Sequence, residues 1–344
     1  MHLYVGGILI CKSLEDLQEN PLFVRLEKAF PNHDLYVKLE GLNTAGSIKL
    51  KTAIALVDSL EKDGRLTAGG WLVESSSGSL GVALAGVCAR RGYKLSIVTD
   101  PNANPASIAH MRALGADVEV VTERDEAGGF LGARLARIRE LQEAESGPQW
   151  LNQYSNSANP AVHRSKTYPS IVSEFGDPDF IFVGAGTTGT LMGVSQGVAE
   201  RGASTRLYAI DSIGSVTFGG APSARHVPGL GASVPPPLFD GSIVPEQHYV
   251  GELDAVRECR RVASLEGFLP GGSTGTILAG FQALEDEIPH GSLVVVVAPD
   301  MGERYLDTIY NDEWVSEKFE SREIDFSARP TSYVAKTARE ELHV

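Results

Sequence analysis

The sequence predicts an α/β protein of two lobes, each a parallel sheet covered by helices on both faces. Three observations carry that expectation. Short β-branched runs alternate with longer stretches of helical spacing along most of the chain. One such run, Leu293-Val-Val-Val-Val-Ala298, is apolar at every position, as a strand buried on both faces must be. The length of 344 residues exceeds what one hydrophobic core normally serves.

Each element has a local reason. Asp34-Leu-Tyr-Val-Lys-Leu-Glu40 reads as a strand, and Ile48, Ala53, Leu56, Val57 and Leu60 recur at helical spacing. Trp71 to Glu74 is a strand, Gly81 to Arg91 a mostly apolar helix, and Lys94 to Thr99 a strand. Pro105 opens a helix to Leu114, at a first-turn position where its missing N–H costs nothing. Asp117 to Val121 is a strand and Phe130 to Glu145 an amphipathic helix. The alternation resumes with strands at 179–183, 206–210 and 293–298 and helices at 189–201, 253–265 and 275–287. These units group into a smaller lobe, 43–150, and a larger one, 1–42 plus 151–325, with 326–344 as a mobile tail. Between Ala203 and Gly251 glycine and proline are frequent, so most of that segment is expected to be loop lining a site or an interface.

Composition removes several functions. With 30 Lys+Arg against 44 Asp+Glu the net charge is −14, and no basic surplus exists to neutralise nucleic-acid phosphates. A local basic pocket can still bind a small anion. Cys11, Cys88 and Cys259 are isolated, which fits neither a disulfide framework nor a zinc site and points to a reducing cytoplasm. Met1 to Asn20 lacks the basic-then-apolar pattern of a signal peptide, and no apolar run approaches the ~18 residues of a membrane span. No metal, membrane or nucleic-acid partner is expected.

Four turns rich in Gly, Ser and Thr lie where strands end and helices begin, the place where open α/β sheets bind ligands. They are Gly46-Ser-Ile-Lys49, Ser75-Ser-Ser-Gly-Ser-Leu-Gly81, Gly184-Ala-Gly-Thr-Thr-Gly-Thr190 and Gly271-Gly-Ser-Thr-Gly-Thr276. Small residues at a helix start leave N–H groups free for phosphate or carboxylate. The third turn has the G-x-G-x-x-G spacing of a dinucleotide fingerprint, with Asp211 where a ribose-binding acid would lie. Taken alone it serves equally as a dinucleotide site, a tight strand-to-helix turn or a cradle for another phosphate. The fourth matches the G-x-S-x-G nucleophile elbow at Ser273, but only His290 and His343 follow, without an acid at a suitable interval.

Together and in order, these turns resemble the pyridoxal-phosphate enzymes of fold type II, the cysteine synthase and tryptophan synthase β class. The resemblance runs from Pro21-Leu-Phe-Val-Arg-Leu26 to Tyr310 and implies two three-layer lobes with the cofactor between them. Lys-Leu-Glu40-Gly-Leu-Asn43-Thr-Ala-Gly-Ser-Ile-Lys49 resembles the segment whose lysine binds the cofactor aldehyde; Lys51 fits less well, since the family's lysine directly follows the Gly-Ser-aliphatic triplet. Ser76, Ser77, Gly78, Ser79 and Leu80 resemble the turn that grips the substrate carboxylate. Ser79 stands where the family usually has an Asn bonded to the cofactor's ring hydroxyl. Gly186, Thr187, Thr188, Gly189 and Thr190 resemble the cofactor-phosphate cup, and Ser273 the serine facing the pyridine nitrogen. Pro299-Asp300-Met-Gly-Glu-Arg-Tyr-Leu306 resembles the family's closing signature.

Gly128-Gly-Phe-Leu-Gly-Ala-Arg134, Trp150-Leu-Asn-Gln-Tyr154 and Gly214-Ser-Val-Thr-Phe-Gly219 are similar to a narrower group. These are the N-(2-amino-2-carboxyethyl)-L-glutamate synthases of 2,3-diaminopropionate biosynthesis in siderophore pathways of the staphyloferrin B type. That likeness implies a dimeric transferase replacing the phosphate of O-phospho-L-serine with the amine of L-glutamate. It further implies Arg134 and Tyr154 as phosphate ligands and Gln153 as a substrate-carboxylate ligand. His226 is expected to shape its loop. A cysteine synthase using sulfide is the nearest alternative; a nicotinamide-dependent dehydrogenase and a catalytically silent relative are more distant ones.

Overall fold

The computed structural model describes residues 3–5, 8–19, 21–125, 129–244, 246–319 and 330–334. The chain divides into two compact units, Met1–Asn20 with Leu42–Ala158, and Pro21–Gly41 with Asn159–Val344.

The smaller unit is built on a four-stranded parallel sheet in the order Asp117–Val120, Lys94–Thr99, Trp71–Ser75, Gln149–Trp150. Side chains alternate across it, so Leu72 and Ile97 enter one core with Leu56, Leu60, Leu84 and Met111, while Val73 and Val98 meet Ile138 on the other face. Helices Lys49–Lys62, Ser79–Arg91, Pro105–Ala113 and Leu131–Glu143 supply the cover. Residues 1–20 belong here rather than with 21–41. Leu17 packs against this core, and Arg91 reaches Glu15 at 2.6 Å as well as Asp58 at 2.7 Å.

The larger unit has a seven-stranded sheet in the order Ser332–Val334, Glu246–Val250, Arg206–Ser212, Phe180–Gly184, Leu293–Ala298, Asp34–Leu39, Phe23–Arg25. The five inner strands are parallel and the two edges antiparallel. Helix Gly272–Leu284 is apolar almost all round, and its residues are buried from Gly272 through Phe281. Phe281 fits edge-on against Phe30 and Phe182, and Phe182 stacks on Tyr208 at 4.8 Å.

Two segments depart from the sequence expectation, and a third carries structure where no element was expected. Glu246–Val250 is a strand inside the expected loop; its Gln247 and His248 are buried polar residues, so no apolar alternation advertised it. Ser332–Val334 pairs with His248–Val250, so the expected tail supplies an edge strand, and the rest of 326–344 lies outside the described residues. The stretch from Ala158 to Phe175 is helical, with a π-type turn at His163–Thr167. Pro160 and Pro169 look like breaks, yet each stands within the first turns of its helical segment. Among the described residues no helix is long and apolar enough to cross a membrane.

Candidate active site

In the smaller unit, Asn43 shapes the turn before Lys49. Its Oδ1 accepts from Ala45 N at 2.9 Å and its Nδ2 donates to Ser47 O at 2.9 Å, with Gly46 in the left-handed region at φ 63°. Ser47 Oγ then accepts from Lys49 N at 3.3 Å, starting the helix Lys49–Lys62. Lys49 is half-buried, whereas Lys51 is buried at 2% exposure. Two residues apart on a helix, they point about 200° from each other, so one ligand atom can meet only one of them.

The Ser75–Leu80 turn closes on itself. Ser76 Oγ accepts from Gly78 N at 3.3 Å and Gly81 N at 3.0 Å, so its hydroxyl caps the helix Ser79–Arg91. Ser77 is exposed, Gly78 and Ser79 are half-buried, and the Leu80 side chain lies in the hydrophobic core. Any ligand contact from Leu80 is therefore through its backbone N–H. Gln153 is buried; its Nε2 donates to Ser75 O at 3.3 Å and its backbone N to Glu74 Oε2 at 3.2 Å. Tyr154 beside it is half-buried.

Glu74 was not anticipated from the sequence. Its carboxylate is 1% exposed, and burial pushes its pKa up to about 7 against the lowering effect of the N–H groups around it. An acid as the next-to-last residue of a strand leading into a ligand turn is the signal that could have singled it out.

Arg134 is not a solvated helix residue. Only 14% of its side chain is exposed, and Nε lies 3.4 Å from Oδ2 of the buried Asp100 at the end of strand Lys94–Thr99. Asp125 sets the start of its helix by accepting from Gly129 N at 2.9 Å and Gly132 N at 2.7 Å. A Cβ on Gly132 would meet the Asp125 carboxylate, which explains the glycine there; Gly128 lies outside the described residues.

In the larger unit, the Gly184–Thr190 turn has the form of an anion cup at the start of helix Gly189–Arg201. Thr188 takes a left-handed conformation at φ 65°, and its buried Oγ1 has no hydrogen-bond partner among the described residues. Gly186 faces Gly229 O, which a Cβ would approach to 3.0 Å. Asn159 Nδ2 donates to Thr187 Oγ1 at 3.2 Å. The buried His163 lies between Thr190 Oγ1, 3.3 Å from its Nε2, and Thr167 Oγ1, 2.9 Å from its Nδ1. An orphaned hydroxyl, a cradle that a Cβ would fill and a helix N-terminus fit a phosphate monoester such as that of pyridoxal phosphate. Asn159 and His163 went unnoticed in the sequence because the segment carrying them reads as punctuation.

Ser273 is buried, packed under Gly229, and its Oγ lies 3.4 Å from Asp300 Oδ1; Tyr305 donates to Asp300 Oδ2 at 2.5 Å. With its hydroxyl beside Asp300, and with His290 lying edge-on to His33, Ser273 is not arranged as a nucleophile elbow. Asp211 is fully buried, accepting from Ser212 N at 2.7 Å with Ser215 and Thr217 alongside, so no ribose can reach it. Glu252 accepts from His226 N and Val227 N, which makes His226 a loop residue.

The sequence matches the pyridoxal-phosphate dependent enzyme family over residues 16–300. Among solved structures, O-ureido-L-serine synthase is 29% identical, covers 90% of this chain and 96% of its own, and superposes with a TM-score of 0.80. A lysine-to-alanine variant of that enzyme with O-ureido-L-serine bound gives 29% identity, 90% and 95% coverage and a TM-score of 0.81. A hydrogen sulfide-producing enzyme from Fusobacterium nucleatum is 29% identical, covers 86% of this chain and 100% of its own, and gives a TM-score of 0.80.

Proposed function

The chain belongs to the family of pyridoxal-phosphate dependent enzymes, of the cysteine synthase-like β-replacement kind, and on that premise we propose that it replaces the phosphate of O-phospho-L-serine with the amine of L-glutamate. The products are N-(2-amino-2-carboxyethyl)-L-glutamate and inorganic phosphate. The cofactor supplies an electron sink for the substrate's α-carbon when bound. Lys49 would hold its aldehyde carbon, and its amine would take the substrate's α-proton and return it. Gly186 to Thr190 hold the cofactor phosphate and Ser273 its ring nitrogen. Ser76 to Leu80 and Gln153 bind the substrate carboxylate, and Arg134 with Tyr154 bind the leaving phosphate. A homodimer is part of the same reading.

The observation that carries the phosphoserine assignment is Arg134. The chain as a whole is at −14 and repels a dianionic leaving group, so the attraction must be local. Arg134 is a largely buried guanidinium on the same unit as the proposed carboxylate-binding turn, its Nε 3.4 Å from the Asp100 carboxylate. Its planar fork suits phosphate oxygens. A second reading, sulfide as the nucleophile, is favoured by the likeness to a hydrogen sulfide-producing enzyme. The test is a product assay of the holoenzyme with O-phospho-L-serine or O-acetyl-L-serine, each paired with glutamate or sulfide. Formation of the glutamate adduct from phosphoserine supports the proposal; turnover only with sulfide replaces it by the second reading.

A further inference from the structure

The two parts of the chain assigned to the substrate carboxylate, the Ser76–Leu80 turn and Gln153 in the Asn152–Tyr154 stretch, are distant in sequence. Both are anchored on one side chain. Glu74 Oε1 accepts from Ser75 N at 2.8 Å and from Trp150 Nε1 at 3.3 Å, while Oε2 accepts from Gln153 N at 3.2 Å. All of these partners are neutral N–H groups. Asn152 itself lies in the left-handed region at φ 50°, which asparagine tolerates better than other non-glycine residues. Above about pH 7 the carboxylate is ionised, accepts on both oxygens and donates nothing. It is the one short side chain that can receive N–H groups from two segments at once. A glutamine in its place turns one arm into a donor facing donors.

We propose that Glu74 is the positioning residue of the substrate-carboxylate site, tying the Ser76–Leu80 turn to the Asn152–Tyr154 stretch so that both present their donors to a single α-carboxylate. This rests on the proposed placement of the carboxylate, and not on the identity of the leaving group or of the nucleophile. Glu74 touches no reacting atom. Its effect is on binding common to ground state and transition state, so it acts on KM and leaves kcat nearly untouched.

The experiment uses holoenzyme of wild type, Glu74→Gln, Glu74→Asp and Trp150→Phe. Initial rates are measured with O-phospho-L-serine and with O-acetyl-L-serine. L-alanine, which carries the same α-carboxylate and no leaving group, is titrated against the cofactor's visible absorption. In Glu74→Gln, KM for both substrates and the dissociation constant of L-alanine should rise together by about ten- to a hundredfold, with kcat within about threefold of wild type. Trp150→Phe removes one donor, keeps the carboxylate, and should move the same constants severalfold in the same direction. A fall in Tm with KM and L-alanine affinity unchanged makes Glu74 merely structural and overturns the proposal. So does a loss of kcat at constant KM. Should Glu74→Gln not fold, unchanged constants in both Glu74→Asp and Trp150→Phe overturn it equally. If wild type turns over no β-substituted serine yet binds L-alanine, and Glu74→Gln weakens that binding, the reaction assigned above fails while the role of Glu74 stands.

Discussion

Asn159 fills the space that a side chain on Gly189 would need: a Cβ there would stand 2.5 Å from Asn159 Nδ2 and closer still to its Oδ1. The same amide donates to Thr187 Oγ1 at 3.2 Å, so one residue sets the floor of the cup and one of its hydroxyls. Gly189→Ala should therefore weaken pyridoxal-phosphate retention by about tenfold or more, as overpacking costs ~1–3 kcal/mol. Equilibrium dialysis against the cofactor checks this. An undiminished affinity would remove the cup assignment.

Lys49→Ala should lose the cofactor's visible absorption band and all turnover, while Lys51→Ala should keep both. Because Lys51 is buried and Lys49 half-buried, Lys51→Ala should instead show its effect as a lowered Tm. Absorption spectra and thermal melts of the two variants decide. A normal band in Lys49→Ala sinks the assignment.

Ser79→Asn should keep or raise activity. Ser79 is half-buried in the first turn of its helix, and an amide there reaches further than a hydroxymethyl. One hydrogen bond gained is worth ~1 kcal/mol, about fivefold in affinity or rate. Complete loss of cofactor binding would show a turn rebuilt around serine.

Arg134→Ala should lower kcat/KM for phosphoserine by about ten- to a hundredfold, since a bond to a charged group is worth ~1.5–3 kcal/mol, and should spare acetylserine. Tyr154→Phe should show the same selectivity at smaller size. Removing Arg134 also leaves the buried Asp100 without its ion pair, so a modest fall in Tm is expected beside the kinetic effect. Equal losses for the two substrates would place Arg134 in the fold or at the shared carboxylate.

Asp211 provides a pH test of stability. Burial raises its pKa from 3.8 to about 7, despite hydrogen bonds that act the other way. The folded state therefore holds a proton that the unfolded state releases. The resulting stability is full below pH 3.8 and is lost as pH rises through 7. The loss is on the order of 4 kcal/mol for this group. Asp211→Asn cannot titrate and should show a flatter decline of Tm between pH 4 and pH 7 than wild type. Parallel declines would mean that Asp211 is already ionised throughout.

The alternation of elements was legible because helical and strand periodicities are short-range. The all-apolar Leu293–Ala298 occupies the place expected of it, a strand between two parallel neighbours. The Gly/Ser/Thr-rich turns were legible for the same reason: left-handed backbone and close approach demand small residues at fixed local offsets, as at Gly46 and Gly186. Fold class followed from the alternation, and cofactor class from the resemblance of the turns, in their order, to the pyridoxal-phosphate enzymes of fold type II. What only the tertiary structure decided is which distant residues meet. Glu74 finds Gln153 across 79 positions, Asn159 finds Thr187 across 28, and Arg134 finds Asp100 on a neighbouring strand end. Strand Glu246–Val250 is polar in sequence and exists because Arg206–Ser212 and Ser332–Val334 pair with its two sides. Such contacts leave no periodic trace, since burial and hydrogen-bond demand at one site are met by whatever segment packing brings there.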